Sequence, residues 1–144
     1  MIRNRIVLIA GTLSLLAGCA RNQVRIKPNI IVFMFEDMGI QIPLYGDYTV
    51  VTPSIDRLAS MGTTFTYNYV TQASCSPSRS SFFTGLFPHQ NGQFMLPNQW
   101  GGKLHDGTPT FIQMLKSAGY YTGITYKIHV DPEESIPFDV HFDY

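Results

Sequence analysis

Cys75, Pro77 and Arg79 stand at alternate positions, setting a thiol, a rigid turn and a permanent positive charge within about one helical turn. A thiol so placed is inert, paired with another chain, or reactive. Two further groupings carry chemical potential. Glu36 and Asp37 are adjacent carboxylates that close an apolar run. Like charges so close repel, and a divalent cation would offset that repulsion. Oxygen donors suit Ca²⁺ or Mg²⁺, while a solvated turn after a strand is the plain alternative. Lys127 and His129 are two apart, so on a strand both side chains point to one side. Taken alone, such a pair is more often surface decoration.

The elements around these groups are expected to be strands and helices in alternation. Residues 30–35 (Ile-Ile-Val-Phe-Met-Phe), entered from Asn29, read as a central strand buried on both faces. Glu36 and Asp37 then fall at its C-terminal edge, where open α/β sheets place ligands. Thr52-Pro53 predicts a helix start, with Ile55, Leu58, Ala59 and Met61 as its apolar face and Gly62 as its stop. Residues 63–70 alternate polar and aromatic side chains, a strand pattern. Pro77 suits the first turn of a helix that continues through Ser80 and Phe83. Thr108-Pro109 repeats the helix start, Phe111, Ile112, Met114 and Leu115 form a face, and Gly119 ends it. Residues 120–126 predict another buried strand, with Lys127 and His129 at its end. The alternation implies an α/β domain with a mainly parallel sheet. Residues 100–107 form a glycine-rich loop, either a cleft lining or a plain surface loop.

At 144 residues the chain holds at most one domain, and 44% hydrophobic against 14% charged content favours a core over disorder. Net charge is zero, and without Arg3 and Arg5 it turns slightly acidic. No basic stripe exists to suggest nucleic acid. Residues 1–18 read as an export signal: Arg3 and Arg5 precede an apolar stretch too short to span a bilayer. Leu16-Ala17-Gly18-Cys19 resembles a bacterial lipobox, which implies lipidation of Cys19 and a membrane anchor. An ordinary cleaved signal with a chance cysteine is the alternative. Ala20 after the cysteine implies outer-membrane sorting, and residues 19–27 a short polar tether. With separate explanations for Cys19 and Cys75, no disulfide is expected.

The run Ser74-Cys75-Ser76-Pro77-Ser78-Arg79 resembles the signature of the type I sulfatases. The likeness extends through Pro28-Asn29 with Glu36-Asp37, through Thr84-Gly85-Leu86 and His89-Gln90-Asn91-Gly92, to Lys127-Ile128-His129-Val130 and Pro137-Phe138-Asp139. Within that family it is nearest to the N-sulfoglucosamine sulfohydrolases, the sulfamidases. The resemblance implies an alkaline-phosphatase-like α/β fold for residues 28–144. It implies that a separate formylglycine-generating enzyme oxidises Cys75, and that the resulting formylglycine joins Glu36 and Asp37 on Ca²⁺, or Mg²⁺. Arg79 would hold the hydrated aldehyde, while Lys127 and His129 would bind sulfate oxygens and the leaving group of a sulfated carbohydrate. His89, beyond the helix, is assigned a structural hydrogen-bonding role.

Two positions depart from the family pattern: Glu36 replaces an aspartate, and Tyr126 replaces the glycine before the lysine. The family's remaining metal ligands, an Asp-Asn pair, lie far downstream, so the chain is expected to be an N-terminal portion that lacks full activity alone. Two other functions remain open at this point. One is a phosphoester or phosphonate hydrolase of the same superfamily, and the other an inactive lipoprotein that binds sulfated glycans.

Overall fold

Prolines and glycines set most element boundaries. A computed structural model describes residues 26–143, so residues 1–18 and Cys19, expected to form an export signal and a lipidation site, and nearly all of the 19–27 stretch expected as a tether lie outside the described residues. The chain divides into two units, Met1–Pro53 and Ser54–Tyr144.

In the first unit the one regular feature described is a 3₁₀ turn, Pro43–Tyr45, ended by Gly46 at φ 89, whose N–H donates to the Pro43 carbonyl at 2.9 Å. Ile42 is the buried apolar residue before it. Residues 30–35 are not a strand. They are irregular and exposed, with Ile31 at 76% and Phe33 at 71%. A parallel strand needs ladder partners for its N–H and C=O groups. No described segment pairs with this one.

The second unit begins within α1 (Pro53–Met61), which starts at the proline as expected and stops at Gly62. None of its residues is buried. Residues 63–70 are likewise exposed and irregular rather than a strand, because their alternation meets no partner edge among the described residues. Order returns with α2 (Cys75–Thr84), ended by Gly85 at φ 70, whose N–H donates to the Ser81 carbonyl at 2.8 Å. The one-turn α3 (Pro88–Asn91) follows directly.

Helix α4 (Phe111–Ser117) begins two residues later than Thr108-Pro109 suggested. Thr110 wins because its side chain accepts from Gln113 N while Gln113 Oε1 accepts from Thr110 N, a reciprocal cap. The strand expected over 120–126 shortens to β1 (Gly123–Thr125), with no residue buried. It pairs in parallel with β2 (Val140–Phe142), Gly123 opposite Val140. A Cβ on Gly123 would lie 2.9 Å from Val140 Cγ1, so any larger residue there would force the Val140 side chain to shift. The parallel sense matches the expectation; the described sheet is only two strands wide.

The core of this unit is Phe83, Leu104, Ile112, Ile128, Val130 and Ile136, flanked by Phe111, Ile124 and Phe138. Asp139 ties its margin together. Its carboxylate accepts from Thr122 N at 2.7 Å and Thr122 Oγ1 at 2.9 Å, and meets Lys116 Nζ at 2.9 Å. The Lys116 hydrogen bond, then those from Thr122, lower its pKa from 3.8 to about 2. A depressed folded-state pKa gives stability that is full above pH ~4 and lost as pH falls through about 2. Urea unfolding across pH 5 to 2 should therefore show a falling midpoint, with a shallower slope for Asp139→Asn. Equal slopes would show that other carboxylates carry the acid sensitivity.

Candidate functional site

Helix α2 opens at Cys75, which is a free thiol of intermediate exposure. Arg79 follows by four residues, so the two share one face of the helix. Its guanidinium is buried at 7% exposure and donates to the Lys127 carbonyl at 2.7 Å. Ser76 Oγ donates to the His129 carbonyl at 2.7 Å. The thiol and arginine on one element are thereby joined to the lysine and histidine on another, through backbone carbonyls.

Lys127 and His129 do not extend a strand. β1 ends at Thr125, and Tyr126 and His129 both take left-handed backbone conformations, φ 73 and φ 56. Strand alternation therefore does not orient the pair; two reversals of the chain do. Left-handed backbone crowds a Cβ and costs about 1–2 kcal/mol outside glycine. Backbone bonds hold Tyr126 there: its N–H donates to Phe142 O at 2.8 Å, and its carbonyl lies 2.7 Å from His141 Nε2. Tyr126 as a whole is 58% exposed. The departure noted at this position thus has a physical meaning, since the conformation is one glycine adopts freely. Tyr126→Gly should raise stability by about 1 kcal/mol, read as a higher urea midpoint. A lower midpoint would mean that ring contacts outweigh the backbone strain.

Glu36 and Asp37 belong to the first unit, where both are exposed and Asp37 has φ 48. Their oxygen chemistry suits a hard cation, but Ca²⁺ takes six to eight such donors. Among the described residues no three His, Cys, Asp or Glu side chains gather to hold a metal. Two carboxylates alone fall short of such a donor set.

The polar layer behind Cys75 was not foreseen. Asn91 and Gln93, on either side of Gly92, are fully buried, as are Ser76 and Ser80. Asn91 Nδ2 donates to Ser80 Oγ at 3.2 Å and Thr84 Oγ1 at 3.3 Å, while its Oδ1 accepts from Gln93 N at 2.9 Å. Gln93 Nε2 donates to Ser76 Oγ. Two amides alternating around a glycine after a one-turn helix was the available sequence signal, though it does not reveal burial. His89 stacks on Phe87 on an exposed surface, centroids 5.7 Å apart, rather than entering this layer. The 100–107 loop is rooted by a bridge between Gln93 and Gly102 and displays Trp100 at 86% exposure, edge-on to Phe94.

A cysteine opening a helix, a buried arginine one turn on and a lysine–histidine segment fastened behind them are thus brought together in the second unit. The sulfatase family profile matches residues 28–141, and the chain belongs to that family. It is 35% identical over 148 residues to an N-acetylgalactosamine-6-O-sulfatase of Bacteroides thetaiotaomicron, covering 96% of this chain and 29% of that protein. It is 38% identical over 120 residues to the human steryl-sulfatase, covering 77% and 20%. To the human N-sulphoglucosamine sulphohydrolase it is 35% identical over 132 residues, covering 88% and 25%. The chain spans less than a third of the length of these relatives.

Proposed function

We propose that the protein bearing this chain hydrolyses sulfate esters or sulfamates of a sulfated carbohydrate. One observation carries the reading most: Cys75 opens α2 with buried Arg79 one turn on, fastened to the backbone of Lys127. In this reading a formylglycine-generating enzyme converts Cys75, and the modified residue supplies the nucleophile when its aldehyde is hydrated. Arg79 orients that group, its charge fixed at any working pH. Lys127 and His129 hold sulfate oxygens and the leaving group. Glu36 and Asp37 contribute to a Ca²⁺ or Mg²⁺ site that further donors complete. Residues 28–144 form the N-terminal portion of an alkaline-phosphatase-like catalytic domain.

The similarity is shared between O-sulfatases and an N-sulfatase at nearly equal identity, so both linkages stay within the proposal. We further propose that residues 1–18 direct export and that lipidated Cys19, with the 19–27 tether, anchors the protein to a bacterial outer membrane. Mass spectrometry of the mature N-terminus tests that assignment; an unlipidated N-terminus at any other residue rejects it.

The central test is mass spectrometry of the Cys75 peptide from full-length protein co-expressed with a formylglycine-generating enzyme. It should be paired with sulfate release from O-sulfated and N-sulfated sugars and from matched phosphate esters. Formylglycine at Cys75 with sulfate release supports the reading. An unmodified thiol throughout, or preference for phosphate, rejects it.

A further inference from the structure

We propose that Gln93 is a positioning residue for the 127–131 segment, acting through Ser76. The inference rests on the sulfatase reading for what the segment does, but not for how it is held. Gln93 and Ser76 are both fully buried. The Gln93 carboxamide uses both ends. Nε2 donates to Ser76 Oγ, and Oε1 accepts from Asp131 N at 3.3 Å. Ser76 then donates to the His129 carbonyl at 2.7 Å. The relay leaves the segment at Asp131, crosses one amide and one hydroxyl, and returns to it at His129.

It therefore braces the backbone on both sides of Val130, which is itself 1% exposed. Its anchor, Ser76, is the neighbour of Cys75. Bracing matters here because His129 is left-handed at φ 56, a conformation that disfavours any residue with a Cβ. Among the described residues no strand ladder runs through this segment, since β1 ends at Thr125, although Leu104 N–H donates to the Asp131 carbonyl at 2.7 Å. Arg79 fixes the Lys127 end and the relay fixes the His129 end. A glutamine suits the task because one side chain must donate and accept at once.

The variants are Gln93→Met, which keeps length but removes both polar ends, and Gln93→Glu, which is isosteric and keeps only the acceptor. Hydrogen exchange on the full-length protein reads the brace directly. Gln93→Met should speed amide exchange at residues 129–131 by roughly tenfold, with α4 and β1 protected as in the wild type. Gln93→Glu should retain protection at Asp131 while Ser76 turns toward the carboxylate and releases His129. Sulfate release, normalised to formylglycine content, should lose about 10- to 100-fold in kcat with KM within about threefold.

Unchanged exchange at 129–131 in both variants overturns the proposal, as does acceleration spread evenly over the whole unit. A rise in KM with kcat intact also overturns it, by assigning Gln93 to substrate binding. If the wild type releases no sulfate from any substrate, the sulfatase reading fails, and the exchange arm alone decides whether Gln93 holds the segment.

Discussion

Arg79→Lys in the full-length protein is expected to lose sulfate release by about 10²-fold or more while keeping its charge. The same variant should lose about 1–3 kcal/mol of stability, because the Lys127 carbonyl loses its guanidinium donor in a buried setting. Both effects have one origin. Arg79 is 7% exposed and reaches Lys127 O at 2.7 Å, so part of its planar fork is committed to the backbone of the lysine–histidine segment. An ammonium is a point donor on a stem that ends short of the guanidinium's outer nitrogens. It can satisfy the carbonyl or face the Cys75 side chain, not both. Arg79→Met would separate the contributions: it should match lysine in stability loss or exceed it, and leave no measurable turnover. Sulfate assays and urea unfolding of both variants check this. Lysine behaving as wild type in both measurements would show that charge alone suffices and that the bond to Lys127 is incidental.

The site was more legible in the sequence than the sheet around it, and the reason is the range of the interactions involved. Cys75, Pro77 and Arg79 lie within one helical turn, so their spacing fixes their geometry once the helix forms. Thr52-Pro53 and Gly62 are also local signals, and α1 obeys them. The strands are different. Residues 30–35 have the composition of a buried strand but are exposed, because a strand is defined by partners and composition does not supply them. Lys127 and His129 were expected at the end of a strand over 120–126, and the strand stops at Thr125 before reaching them. The chain reverses at Tyr126 and His129, and left-handed conformations of non-glycine residues leave little trace in sequence. The Ser76–Gln93 relay was invisible for a related reason: polar residues look like surface until their partners are known.

Phe83→Ala should be the most destabilising single change in the second unit, costing about 3–5 kcal/mol. Phe83 is 3% exposed and meets three rings: it stacks on Phe111 at 5.9 Å and meets Phe138 and Phe82 edge-on at 6.0 Å and 5.5 Å. Position matters as much as area. Cys75, Arg79 and Phe83 follow at four-residue intervals along α2, and their exposure falls from intermediate to 7% to 3%. One stripe of the helix thus runs from the thiol into the core. A cavity at Phe83 loosens the inner end of the element that aims Arg79 and Cys75. Phe83→Leu fills most of that volume and should cost less, about 1–2 kcal/mol. Phe82→Ala, at a residue 41% exposed, should cost less than Phe83→Ala by at least about 1 kcal/mol. Denaturant unfolding of the three variants gives the order directly. If Phe82→Ala proved as costly as Phe83→Ala, the helix would be held by its outer face, and the core would not be what orients the arginine.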